Sequence, residues 1–96
     1  MLELRPNCEA CGAALAPDST EAMICTFECT FCRTCVETVL ANVCPNCGGG
    51  FCPRPIRPKA KLEKNPATTR VVNKPVDAKA HAAFAAPVKN IPPELR

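Results

Sequence analysis

The sequence predicts a small metal-stabilised α+β domain, with a short β-hairpin and one short helix, followed by a disordered basic tail. Three observations predict it. All nine cysteines lie between Cys8 and Cys52, and eight of them fall into close pairs. Eight of the eleven prolines (Pro53, Pro55, Pro58, Pro66, Pro75, Pro87, Pro92, Pro93) come after them. Leu, Ile, Val and Phe together make only about a fifth of the 96 residues, with neither Trp nor Tyr, too little for a conventional core over most of this length. The boundary falls near residues 50–53, giving a Cys-rich zinc-binding domain over 1–52 and a Pro/Ala/Lys-rich tail over 53–96.

Charge follows the same division. Residues 1–52 hold two bases, Arg5 and Arg33, against six acids, whereas residues 53–96 hold ten bases against three acids. The formal net charge of +3 therefore hides an acidic head and a basic tail. No run approaches the roughly 20 apolar residues of a membrane span, and residues 1–8 carry acid, proline and cysteine where a signal peptide needs an apolar stretch. A soluble protein of the reducing cytoplasm is the expectation.

The elements follow from the cysteine spacing. Cys8-Glu-Ala-Cys11-Gly12 and Cys44-Pro-Asn-Cys47-Gly48 read as zinc knuckles, tight turns that aim two sulfurs at one ion about 2.3 Å away, with a glycine relaxing the backbone after the second ligand. Residues 21–25 read as a strand entering Cys25-Thr-Phe-Glu-Cys29. On a straight strand those two sulfurs would lie roughly 13 Å apart, so a turn over residues 26–28 is required. Cys32-Arg-Thr-Cys35 runs into Val36, Val39, Leu40 and Val43, the apolar stripe of a short amphipathic helix whose N-terminal dipole favours the thiolates. In the tail, Asp77 as N-cap and Pro87 as stop bound a transient helix over residues 78–86, to be fixed if Phe84 finds a partner.

Eight thiols make two four-sulfur sites. A knuckle plus the first turn of a helix is the ligand set of a treble-clef site, which places Cys8, Cys11, Cys32 and Cys35 on one ion. By elimination Cys25, Cys29, Cys44 and Cys47 hold the second, unless the turn over 26–28 fails and Cys29 pairs with Cys32 instead. Two structural Zn2+ ions are the expected cofactors, because complete thiolate shells leave no open position for chemistry. The apolar side chains alone are too few to fold such a head, so the metal-free head is expected to be unfolded. An iron–sulfur cluster is the competing metal reading: the run from Cys25 to Cys35 has the bacterial ferredoxin spacing reversed, without the proline after its last cysteine. A disulfide scaffold is disfavoured by the odd cysteine count. Cys52 belongs to neither site and reads as an incidental thiol.

The alternating use of the pairs is a cross-brace, and over residues 8–47 the spacing, with its Cys-Pro-x-Cys last pair, resembles RING-type domains. That resemblance implies metal binding. For ubiquitin-ligase activity a RING needs an apolar residue inside the first pair and often a basic one after the last, where this chain has Glu9, Ala10 and Gly48. Over residues 1–57 the chain also resembles a small bacterial family of cysteine-rich domains of unknown function, numbered 1272. The resemblance rests on the stretches 1–8, 17–22, 25–32 and 44–49. It implies a bacterial, cytoplasmic, zinc-binding protein and supplies no mechanism.

Function is expected to be non-enzymatic. The sole histidine, His81, lies in the tail and reads as bland, and no Ser/His/Asp or Cys/His grouping exists. The leading expectation is a zinc-stabilised interaction module for an unknown protein partner. Phe27 and Phe31, in the repeated Cys-Thr-Phe unit, either pack between the metal sites or line a partner groove. The alternative is a nucleic-acid-associated module that makes weak contact through tail residues 53–96. A self-neutralising tail is the bland counterpart. Residues 53–58 read as an extended, polyproline-like spacer.

Overall fold

A computed structural model describes all of residues 1–96. Around the cysteines it has the small α+β architecture that the spacing predicts. Strand β1 (Ala22–Ile24) lies in the middle of an antiparallel sheet, between β2 (Thr30–Cys32) and β3 (Cys52–Pro53). The register pairs Met23 with Phe31 and Pro53, and Ile24 with Thr30 and Cys52. The β1–β2 connection is the required turn: Glu28 N–H donates to Cys25 C=O at 3.0 Å, Cys25 N–H to Cys29 C=O at 3.2 Å, and Glu28 takes a left-handed φ of 64°.

Helix α1 (Arg33–Glu37) starts directly on the end of β2, with Cys32 as its N-cap residue. It is shorter than the apolar stripe suggests. Thr34, Val36, Thr38 and Val39 are β-branched and weak helix formers, and the Thr38 hydroxyl donates to Thr34 C=O at 2.6 Å. Ala41 and Asn42 then turn left-handed, at φ 50° and 57°. The chain still delivers Val36, Leu40 and Val43 to the core, while Val39 stays on the surface. That core combines Leu4, Leu15, Met23 and Phe31 with the buried sulfurs of Cys8, Cys25, Cys29 and Cys44, and Phe51 meets Phe31 edge-on at 5.4 Å.

The tail departs from expectation. Residues 53–96 are not a disordered extension but a strap wrapped around the head. The apolar count missed the means of attachment, which is hydrogen bonding to the head's backbone. Arg54 is buried and donates to Arg5 C=O and Ala16 C=O, both at 2.9 Å. Arg57 reaches Leu2 C=O at 2.6 Å, and Arg96 reaches Asn42 C=O at 2.8 Å. Between them, Val72 C=O accepts from the Asn7 amide, and Lys74 N–H donates to Glu9 C=O. Each such bond satisfies a carbonyl that would otherwise be hydrated or orphaned. Arg54 and Arg57 are thereby spent inside the molecule, so the polyproline-like stretch does not present them.

Helix α2 (Ala78–Ala85) forms where Asp77 predicts it, and Asp77 Oδ1 accepts from Lys79 N–H at 2.9 Å and Ala80 N–H at 3.1 Å. It docks through His81 and Ala85, one turn apart on a single face, rather than through Phe84, which remains 47% exposed. His81 is buried, and its Nε2 lies 2.9 Å from Leu40 C=O.

Candidate metal centre

The first centre is assembled by two neighbouring pieces of chain. Residues 8–12 form a tight knuckle: Gly12 N–H donates to Cys8 C=O at 2.9 Å, Cys8 N–H to Ala13 C=O at 2.8 Å, and Gly12 adopts φ 79°, which a side chain would strain. Facing it, Cys32 ends β2 and Cys35 lies in the first turn of α1. The sulfurs of Cys8, Cys11, Cys32 and Cys35 all lie within 4.8 Å of one another. The Cys11 and Cys32 sulfurs are 3.7 Å apart, against the roughly 3.8 Å edge of a tetrahedron with 2.3 Å metal–sulfur bonds. The donor set and its spacing fit a tetrahedral thiolate metal.

Glu9, between the two knuckle cysteines, is 2% exposed. It is no surface carboxylate: it pairs with Arg5 Nη1 at 2.7 Å and accepts from Thr30 N–H. The knuckle is thereby tied to β2 and held against Cys32. Sequence reasoning missed this role, although an acid four residues after Arg5 was the available signal.

The second knuckle repeats the two backbone bonds that close the first. Gly48 N–H donates to Cys44 C=O at 2.8 Å, Cys44 N–H to Gly49 C=O at 2.8 Å, and Gly48 has φ 77°. The sulfurs of Cys44 and Cys47 come together with that of Cys25, again within 4.8 Å. The Cys29 sulfur is outside that group and accepts from the Asn46 amide at 3.3 Å. Cys32 lies in the first centre, so the Cys29–Cys32 pairing does not arise. Cys52, exposed on β3, joins neither group.

Crowding sets the electrostatics. Burial and neighbouring thiols push Cys35 well above the ordinary thiol range, and burial does the same at Cys44 against the backbone N–H groups of Cys47 and Asn46. Burial also raises Cys29 and Cys32. Cys8 differs: burial works against its thiolate, yet the backbone N–H groups of Cys11, Cys32 and Ala10 bring it below the ordinary range. A bound cation would offset this penalty at Cys29, Cys32, Cys35 and Cys44, since ligation requires the thiolate and releases its proton.

Other features lie outside the clusters. A cleft of about 360 Å³ opens where the tail crosses the head, between Phe31, Pro45 and Asn46 on one side and Lys74, His81 and Phe84 on the other. The two Cys-Thr-Phe units part company: Phe31 is 1% exposed, whereas Phe27, in the turn between Cys25 and Cys29, is 70% exposed. No helix is long and apolar enough to cross a membrane.

Comparison with known proteins adds a family and a relative, neither with an assigned function. The model of a family described as "Protein of unknown function (DUF1272)" matches residues 1–57. An uncharacterized protein of Rhizobium meliloti (strain 1021) is 61% identical over 75 residues, covering 78% of this chain and 89% of its own length. That similarity extends beyond residue 57 into the strap. No solved structure matches.

Proposed function

The chain belongs to the DUF1272 family of proteins of unknown function, and we propose that it is a zinc-stabilised interaction scaffold without catalytic activity. Two Zn2+ ions, held by eight cysteines in a cross-brace of treble-clef type, fix a small surface for a protein partner. The observation that carries the reading is the group of four mutually close sulfurs from Cys8, Cys11, Cys32 and Cys35. An all-thiolate tetrahedral set suits zinc in a structural role, because it leaves no position open for water. Cys25, Cys44 and Cys47 hold the second ion, with Cys29 as its fourth ligand.

Two further observations support a non-catalytic role. The histidine is buried with its Nε2 on Leu40 C=O. Inside the first cysteine pair, where a RING-type ligase needs an apolar residue, Glu9 is buried on Arg5 and Ala10 is partly buried against the core. For partner contact the carrying residue is Phe27, an aromatic side chain held in solvent by a turn that ends on a metal ligand at each side. Large exposed aromatics on rigid supports are the usual anchors of protein interfaces.

Native mass spectrometry of the freshly purified full chain, with an optical spectrum, tests the metal. Two zinc ions and no visible absorbance are expected; iron with sulfide and a visible chromophore would overturn the assignment. Phe27→Ala tests the surface. It is expected to keep both ions while losing a partner that cross-links to the wild-type chain, and an unchanged cross-link would remove Phe27 from the interface.

A further inference from the structure

The cations of this chain divide by type. All six arginines have internal partners: Arg5, Arg33 and Arg70 pair with carboxylates of the head, and Arg54, Arg57 and Arg96 bind backbone carbonyls. All six lysines (Lys59, Lys61, Lys64, Lys74, Lys79, Lys89) are exposed, and none forms an ion pair with any acid of the chain. A self-neutralising tail would lay its lysines on the acidic head. Here a single ion pair, Arg70 to Glu3 at 3.0 Å, joins tail to head. The lysine charge is left over.

Half of it is collected on one built loop. Arg57 Nη1 donates to Asn65 C=O at 2.7 Å and to Pro66 C=O at 3.4 Å, closing residues 57–66 at their ends, while its Nη2 anchors the closure to Leu2 C=O. Inside, Lys61 N–H bonds Pro58 C=O at 2.8 Å, Leu62 N–H bonds Lys59 C=O at 3.2 Å and Asn65 N–H bonds Lys61 C=O at 2.9 Å. Such compact loops with joined ends are frequently functional. Lys59, Lys61 and Lys64 project from it with only Glu63 to oppose them, and the ordering entropy of their backbone is already paid.

We propose that loop 57–66 docks on the phosphate backbone of duplex nucleic acid, with Lys59, Lys61 and Lys64 as its contacts. Lysine is a mobile point charge suited to phosphate, whereas the arginines, whose forked donors could read base edges, are occupied. No aromatic residue lies on the loop to stack an unpaired base, which favours a duplex over a single strand. Leu62, its only large apolar side chain, is half-buried, so the loop has little to insert into an anionic bilayer. Contact is then independent of sequence. The proposal rests on the loop and not on the metal reading, and metal content is measured separately from binding.

The test is anisotropy of a labelled mixed-sequence DNA duplex titrated with the full metal-loaded chain across a salt series. Three phosphate contacts predict that log K falls with log salt at a slope of about −2.7, or roughly 40-fold weaker binding between about 50 and 200 mM salt. Substituting Lys59, Lys61 and Lys64 together by Gln is expected to abolish binding, and the same change at Lys74, Lys79 and Lys89 to preserve it. Because every one of these side chains is exposed, both triple variants are expected to melt with the wild type. No binding at about 50 mM salt, binding unchanged in the loop variant, or capture by phosphatidylglycerol vesicles with none by the duplex would each overturn the proposal.

Discussion

In the first knuckle Cys8 and Cys11 face two cysteines that sit on either side of a strand-to-helix junction, whereas in the second Cys44 and Cys47 face Cys25 and Cys29 across a turn. The knuckles share the same two closing backbone hydrogen bonds and the left-handed glycines Gly12 and Gly48. What differs is the element opposite. The junction of β2 and α1 fixes two sulfurs three residues apart with no loop between them, and all four close up. Across the turn only Cys25 joins the group, and the Asn46 amide holds the Cys29 sulfur beside it. A knuckle delivers two sulfurs by local geometry alone; the other two are only as well placed as the element that carries them.

Removing the metal should have the largest effect, because the apolar core is small and buried cysteines form part of it. Cys8→Ser, at a fully buried cysteine of the first cluster, is expected to unfold the head, read as collapse of amide dispersion in NMR spectra. A milder cut sharpens the contrast: Cys29→Ser is expected to weaken only the second ion, whereas Cys25→Ser should lose it. Acid acts in the same direction on both centres. Burial raises Cys35 and Cys44, so metal uptake displaces their protons, and retained metal should fall as pH is lowered.

The paired phenylalanines give the next contrast. Phe31→Ala should cost about 3–5 kcal/mol of stability by emptying the space between the strands and Phe51. Phe27→Ala, at the same place in its repeat, should stay within about 0.5 kcal/mol. Denaturant titrations of the two variants compare them directly, and equal losses would mean that both rings pack alike.

Smaller effects belong to the strap. His81→Ala leaves the Leu40 carbonyl without its partner and is expected to cost about 1–3 kcal/mol, visible as faster amide exchange over α2. Asp77→Ala removes the N-cap of that helix, for about 1 kcal/mol by the same readout. An exchange pattern that is the same in wild type and His81→Ala would show that the histidine does not clasp the strap.

The head was largely legible because cysteine spacing is a geometric code. The knuckle glycines, the turn over 26–28, and the union of Cys8 and Cys11 with Cys32 and Cys35 all follow from how far a sulfur reaches. Asp77 announced α2 for the same reason, since a cap is a local device. The strap was not legible. Its attachment depends on Arg54, Arg57 and Arg96 meeting carbonyls up to 55 residues away, and a carbonyl leaves no mark in the sequence. Apolar composition could not register those bonds, nor the burial of His81. Within the second centre, spacing brought Cys29 to the neighbourhood, but its hydrogen bond from the Asn46 amide is visible only in three dimensions.

The central claim is that metal holds this fold together at two unequal centres. Stepwise removal with a chromophoric chelator, followed by native mass spectrometry and amide exchange on the full chain, tests it most directly. The account predicts two ions that leave in two phases: the first exposes the turn over 25–29 and the knuckle over 44–48, and the second unfolds the remainder. A chain that stays folded without metal, or that holds no metal when purified, would contradict it.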